Sequence, residues 1–219
     1  RRRSRNKARI IKLFGITDLE WEKWKWHLNH SIRDADTLRK LVNLTDEEYE
    51  AVQRARDLKI PFAITPYYLS LMDLDSGGHR DKAIRAQVIP SLHYVNKLAE
   101  HKHNQEHSMD FMLEYDTSPI EGITRRYPNV VILKPVLTCP QICVYCQRNW
   151  EIEDVDSASA ALPKCKLEAA LDWIKNTPEI SEVLITGGDP LLLSDRKLGS
   201  IVSRVAANPN IVRIRIGTR

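Results

Sequence analysis

Hydrophobic positions recur at two different periods along this 219-residue chain, and the change falls at about residue 124. Before it, apolar residues return every three or four positions, the period of helices packed on one side. "DLEWEKWKWHLNHSI" predicts a helix with Trp21, Trp24 and Leu28 on one packing stripe. "LTDEEYEAVQRARDL" predicts another, with Thr45 as N-cap and Glu47 and Glu48 behind it. In "IPFAITPYYLSLMD", Pro61 and Pro66 interrupt regular structure, and a further helix is expected over 81–99. Residues 1–100 thus read as a helical domain and 101–124 as a connector. His101, His103 and His107 of the connector read as part of a solvated linker rather than a metal site.

Beyond the connector the pattern changes to short β-branched runs alternating with amphipathic segments. "NVVILKPVLT" (129–138), "SEVLIT" (181–186) and "IVRIRIG" (211–217) predict strands; "KCKLEAALDWIKNT" (164–177) and "SDRKLGSIVSRVAAN" (194–208) predict helices, the second capped by Ser194. Strand, helix, strand, helix, strand predicts parallel pairing through crossovers, an α/β fold. Parallel strands end on one face, where α/β barrel enzymes keep their active sites. Cys139 follows the first strand and Gly187, Gly188 and Asp189 the second, so both groups are expected on that face. The last strand alternates apolar residues with Arg213 and Arg215, charges expected to protect an exposed sheet edge.

Composition narrows the class. Hydrophobic residues make up 42% and charged residues 28% of the chain, as in globular proteins. No apolar run reaches the roughly 18 residues of a spanning helix, and no leader segment is read at the N-terminus, so a cytoplasmic protein is expected, with no membrane partner. Six of the first nine residues are basic, but no aromatic residues interleave with them. The run reads as the solvated face of a helix, not a nucleic-acid contact.

Candidate chemistry concentrates in "TCPQICVYCQRN", which holds Cys139, Cys143 and Cys146, three of the four cysteines, within eight residues. Clustered thiols in a reducing compartment indicate metal or redox chemistry rather than a disulfide framework. A closed zinc site wants four ligands, and Cys165 lies nineteen positions beyond Cys146. Three thiolates on a four-iron cluster would leave one iron open for a substrate. A reactive cluster and a zinc-binding structural module both fit this spacing. The second motif, "ITGGDP" (185–190), puts two glycines before an acid at a strand end, where a ligand can approach the backbone.

The cysteine loop, followed about forty residues later by Gly-Gly-acid, resembles the radical S-adenosylmethionine superfamily. With "AITPYYLSLMD", "RAQVIPS", "DTSPIEGITRRYP", "CPQICVYCQR", "WIKNTPEISEVLITGGDPLLLSD" and "IVRIRIGTR", the chain resembles the lysine 2,3-aminomutase family. The resemblance implies a [4Fe-4S] cluster on Cys139, Cys143 and Cys146, S-adenosylmethionine, and pyridoxal phosphate. It implies Tyr145 against adenine, Gly187, Gly188 and Asp189 at the S-adenosylmethionine amine, Arg148 on the substrate carboxylate, and Arg126 and Tyr127 near the pyridoxal phosphate. It further implies an amino-acid substrate, an electron donor such as a flavodoxin or ferredoxin, and a homo-oligomer when complete. An enzyme of different chemistry on the same scaffold is the alternative within the superfamily. Where the family continues with further arginines after the position of Arg148, this chain has Asn149 and Trp150. A full barrel takes about 250 residues, and about 90 follow the connector here. No lysine directly follows either Gly-Gly pair. The expectation is therefore the first part of a barrel, in the N-terminal portion of an enzyme, inactive by itself.

Overall fold

A computed structural model describes residues 2–75, 79–103, 110–155 and 157–219, the side chains of 102 and 103 excepted. The chain divides into two compact units. The first comprises Arg1–Ser108 and Pro140–Cys146, the second Met109–Cys139 and Gln147–Arg219.

The first unit is helical: α1 (Arg2–Phe14), α2 (Asp18–Trp21), α3 (Trp24–Asn29), α4 (Ala35–Leu41), α5 (Asp46–Asp57), α6 (Pro66–Leu69), α7 (Lys82–Arg85) and α8 (Leu92–His103). The basic run forms most of α1, whose Asn6 and Ile10 face inward. The Asn6 amide donates to the carbonyls of Ser70 (3.0 Å) and Met72 (2.6 Å). Thr45 caps α5 in a reciprocal capping box with Glu48. The core gathers Ile10, Leu38, Val52, Ile64, Leu69 and Met72. A buried ion group braces it. Arg85, 3% exposed, pairs with both Asp81 carboxylate oxygens at 3.0 Å and with Glu48 at 2.9 Å.

Three expectations change here. The tryptophan segment is two short helices, α2 and α3, because Thr17 and Glu20 cap a separate turn. Trp21 is buried, but Trp24 is 58% exposed, and Trp26 and His27 pack inward instead. The helix over 81–99 is split into α7 and α8 around Pro90, whose ring and missing N–H end regular helix. The helix α8 also runs into the stretch read as connector; His103's side chain and all of His107 lie outside the described residues.

The second unit holds β1 (Ile123–Thr124), β2 (Val130–Val136), α9 (Lys164–Lys175), β3 (Glu182–Gly187), α10 (Asp195–Ala206) and β4 (Arg213–Ile216). The sheet order is β1-β2-β3-β4, with β2, β3 and β4 parallel as expected. The short β1, antiparallel to β2, was not expected; two residues carry no readable alternation. Alternate residues of the strands (Val131, Leu133, Val183, Ile185) pack with Leu167, Ile174, Ile201 and Val205 of α9 and α10. The opposite face carries Glu182 in register with Arg213, and Leu184 in register with Arg215. Both arginines pair with Glu182, so they serve as a cross-strand charge group as much as an edge guard. The β2–β3 register shifts between Leu133 and Val136, at Lys134 and Pro135.

His27 makes the helical unit sensitive to acid. Its Nε2 lies 2.7 Å from the Trp21 carbonyl, and burial holds its pKa below the usual histidine value. Because the unfolded chain then binds the proton more readily, this stability is complete above about pH 6.5 and declines as pH falls toward the folded-state pKa. His27→Gln is expected to flatten the melting-temperature profile of the helical unit between pH 7.5 and 5, measured by circular dichroism.

Candidate functional site

The strand ends of the second unit carry the motif residues, as parallel topology requires. After β2 the chain runs through Thr138 into Cys139; after β3 it turns through Gly188 and Asp189. The two ends are knit by backbone hydrogen bonds: Gly188 N donates to Val136 O at 2.7 Å, and Asp189 N to Thr138 O at 2.9 Å.

Close approach explains both glycines. Gly187 has φ +103°, and a Cβ there would stand 2.9 Å from both Lys134 Cβ and the Val136 carbonyl. A Cβ on Gly188 would stand 2.2 Å from Thr138 O and 2.4 Å from Thr138 N. The pair therefore serves first to let two strand ends touch, a role the sequence expectation of ligand access did not contain. Asp189 is 5% exposed. Its carboxylate accepts from Leu191 N (3.0 Å), capping the 3-10 turn Pro190–Leu192, and from the Thr218 hydroxyl at 2.8 and 2.9 Å.

The cysteine loop spans the division between the units: Cys139 belongs to the second, Cys143 and Cys146 to the first. Within the first unit, Ile142 N donates to Ala63 O at 3.0 Å and Val144 N to Gln87 O at 2.9 Å. Those bonds anchor the loop to "PFAIT" and "RAQV", stretches whose link to the cysteines no spacing rule reveals. Tyr94 of α8 is held well above the usual phenol pKa by burial, reinforced by nearby Cys146 and Cys143. Tyr145 is 63% exposed. None of the four cysteines is in a disulfide; Cys139, Cys143 and Cys146 are partly exposed and Cys165 is exposed on α9. Among the described residues no three Cys, His, Asp or Glu side chains are gathered into a ready metal site. The thiols fit a metal or cluster as donors, and such sites are commonly completed by the group they bind.

Arg148 lies in a buried chain of charges. Its Nε and Nη2 donate to the Glu114 carboxylate at 3.0 and 2.8 Å, and Glu114 is 3% exposed. Glu151 stands 3.6 Å from Arg148 Nε and accepts from Lys134 Nζ at 2.7 Å. Burial raises the Glu151 pKa, opposed by Lys134. Asp110 holds Glu114 in place by accepting from the Glu114 and Tyr115 amides at 2.9 and 2.8 Å. Arg148 thus pairs with a buried carboxylate and is not a surface ion pair. Glu114 had no sequence signal; it falls in the connector. Arg126 and Tyr127 are both exposed between β1 and β2.

Fold and site define a class: a mixed α/β protein whose motif residues follow the C-terminal ends of adjacent parallel strands. No family model matches the chain. An uncharacterized KamA family protein of Methanocaldococcus jannaschii is 43% identical over 100% of this chain and 36% of its own length. The L-lysine 2,3-aminomutase of Fusobacterium nucleatum is 36% identical over 93% of this chain and 45% of its own. The glutamate 2,3-aminomutase of Clostridioides difficile is 32% identical over 99% and 48%. The chain belongs to this KamA, or lysine 2,3-aminomutase, family and matches the N-terminal part of these relatives. It spans less than half the length of each.

Substitutions at two positions probe this geometry. Gly188→Val would force apart backbone that leads directly into Cys139, at a cost of about 3 kcal/mol or more. It is expected to lower the yield of any metal or cluster bound through that cysteine, measured as metal per chain. Glu114→Ala would leave Arg148 with its buried partner removed and is expected to cost roughly 3 kcal/mol in urea unfolding. Glu114→Gln, which keeps an acceptor oxygen, should cost less.

Proposed function

We propose that the complete protein is a radical S-adenosylmethionine amino-acid 2,3-aminomutase, an isomerase that moves an α-amino group to the β carbon, with lysine as substrate and β-lysine as product. The observation that carries this reading is the pairing of a three-cysteine loop after β2 with the Gly-Gly-Asp turn after β3, bonded to each other at the strand ends. Relatives named lysine and glutamate 2,3-aminomutase support it. On this reading the four-stranded sheet is the first part of a β/α barrel.

Cys139, Cys143 and Cys146 would hold a [4Fe-4S] cluster, leaving one iron without a protein ligand. The turn Gly187–Asp189 would take the ammonium of S-adenosylmethionine, and Tyr145 would lie against its adenine. Arg126 and Tyr127 would flank pyridoxal 5'-phosphate. When bound, these groups supply one-electron chemistry and carry the amino group between carbons. The chain's own contribution is to bind and orient them. Arg148 reads the substrate carboxylate: with Glu114 holding the Nε side of the guanidinium, the fork of terminal nitrogens is fixed in direction before substrate arrives. A flavodoxin or ferredoxin would supply the electron in the cytoplasm, and the working enzyme would be a homo-oligomer.

Anaerobic reconstitution tests the reading. Wild-type protein and Cys165→Ala should each bind four iron and four sulfide per chain, while Cys139→Ala, Cys143→Ala and Cys146→Ala should lose the cluster absorbance. One zinc without sulfide, or loss of the cluster in Cys165→Ala, would refute the assignment.

A further inference from the structure

The Asp189 carboxylate is the most heavily engaged acid at the strand ends. It is 5% exposed and accepts from Leu191 N at 3.0 Å. It also takes the Thr218 hydroxyl at 2.8 and 2.9 Å, one distance to each oxygen, and Arg219 N at 3.3 Å. Leu191 lies in the turn after β3, whereas Thr218 and Arg219 follow β4. One side chain thus ties together the C-terminal ends of two neighbouring parallel strands. Its own backbone N–H is bonded to Thr138 O, beside Cys139, so the tie extends to the end of β2. Gly217 contributes as well: a Cβ there would stand 2.9 Å from Thr186 Oγ1, and that hydroxyl donates to Gly217 O at 3.3 Å. The ends of β3 and β4 are therefore closed by two threonines, Thr186 and Thr218, each bonding across to the other strand's end.

A carboxylate that accepts from two backbone amides and a hydroxyl has most of its lone-pair directions used. Reading a ligand ammonium through this side chain would have to use the one direction left, on a residue only 5% exposed, or displace one of those bonds in a buried setting, where an unmade bond is costly. Main-chain carbonyls of the glycine turn can meet an ammonium without that loss.

We propose that Asp189 and Thr218 form a latch across the ends of β3 and β4. Asp189 acts as a positioning residue: it holds the Gly187–Gly188 turn in the shape that presents its backbone to the ligand ammonium, and its charge does not itself read the ligand. This rests on the reading of the turn as an S-adenosylmethionine site for its ligand arm alone.

The test uses four single variants and one double: Thr218→Val and Asp189→Ala, which break the latch, singly and together; Thr218→Ser, which keeps the hydroxyl; and Asp189→Asn. Asn keeps an acceptor for Leu191 N, and the Thr218 hydroxyl can turn to accept from its amide, so that only the long 3.3 Å bond from Arg219 N is lost. The first measurement is amide hydrogen exchange in the protein without ligand. Thr218→Val should speed exchange at Leu191, twenty-seven positions away in sequence, though less than Asp189→Ala, which removes the acceptor itself, while Thr218→Ser and Asp189→Asn stay near wild type. The second is affinity of the reconstituted protein for S-adenosylmethionine by calorimetry. Thr218→Val and Asp189→Ala should each weaken binding roughly tenfold, and the double variant should be no weaker than the worse single, as expected for two halves of one contact. Thr218→Ser and Asp189→Asn should remain within about threefold of wild type.

The proposal is overturned if Asp189→Asn abolishes binding while Thr218→Val leaves it intact, the mark of a charge that touches the ligand. It is equally overturned if Thr218→Val leaves Leu191 exchange unchanged, or if the two losses add. Should wild-type protein bind no S-adenosylmethionine, the functional reading fails, and the exchange measurement still decides the latch.

Discussion

The close approach of β3's end to β2's end is the constraint on which the rest of the candidate site depends. Val136 and Thr138 offer carbonyls to Gly188 N and Asp189 N at 2.7 and 2.9 Å, and those bonds exist only because neither Gly187 nor Gly188 has a Cβ. The bulge at Lys134 and Pro135 works to the same end. Pro135 cannot donate to a ladder, so β2 shifts register there and its last residues swing onto the glycine turn. Cys139 emerges from that junction. Its position is thus fixed by backbone packing, and its chemistry is added to a frame that would need the same glycines without it.

Much of this was legible in the sequence, for identifiable reasons. The strands β2, β3 and β4 and the helices α9 and α10 follow from hydrophobic period and from one N-cap, Ser194. Once the strands are parallel, their C-terminal ends must share a face, which places Cys139 and Gly188 without further information. The helical unit was read less well. Trp21, Trp24 and Leu28 have ideal spacing for one helix, but the Thr17–Glu20 capping box starts a separate turn and rotates Trp24 into solvent. Capping is local and was readable; its consequence for the stripe depends on where the chain goes next. Glu114 was unreadable for a different reason. An acid in an irregular segment carries no period, and its partner Arg148 lies thirty-four positions away.

Position 188 shows that a motif can have a structural use its sequence reading leaves out. A Gly-Gly pair before an acid suggests open backbone for a ligand. The structure shows the glycines already filled against neighbouring backbone and the acid already bonded to Thr218. What such a turn offers a ligand is its fixed outline. Every group that fixes it is part of the same strand-end junction, so changes there are expected to couple rather than add.

The departure after Arg148 has a physical counterpart. Where the family resemblance leads one to expect further arginines, the chain has Asn149 and Trp150. Positive charge near Arg148 comes instead from Lys134 on β2, whose Nζ is 2.7 Å from Glu151 and 5.9 Å from the centre of the Trp150 ring. Lys134, Glu151, Arg148 and Glu114 then alternate in sign along one buried chain, and their formal charges cancel. Such a chain is costly to open by removing one member, yet contributes little net field at a distance. On the proposed role of Arg148, an arriving substrate carboxylate would therefore meet a guanidinium whose charge is already balanced. Selection for that carboxylate would have to come from the fixed direction of the donors, which is what the two bonds to Glu114 provide.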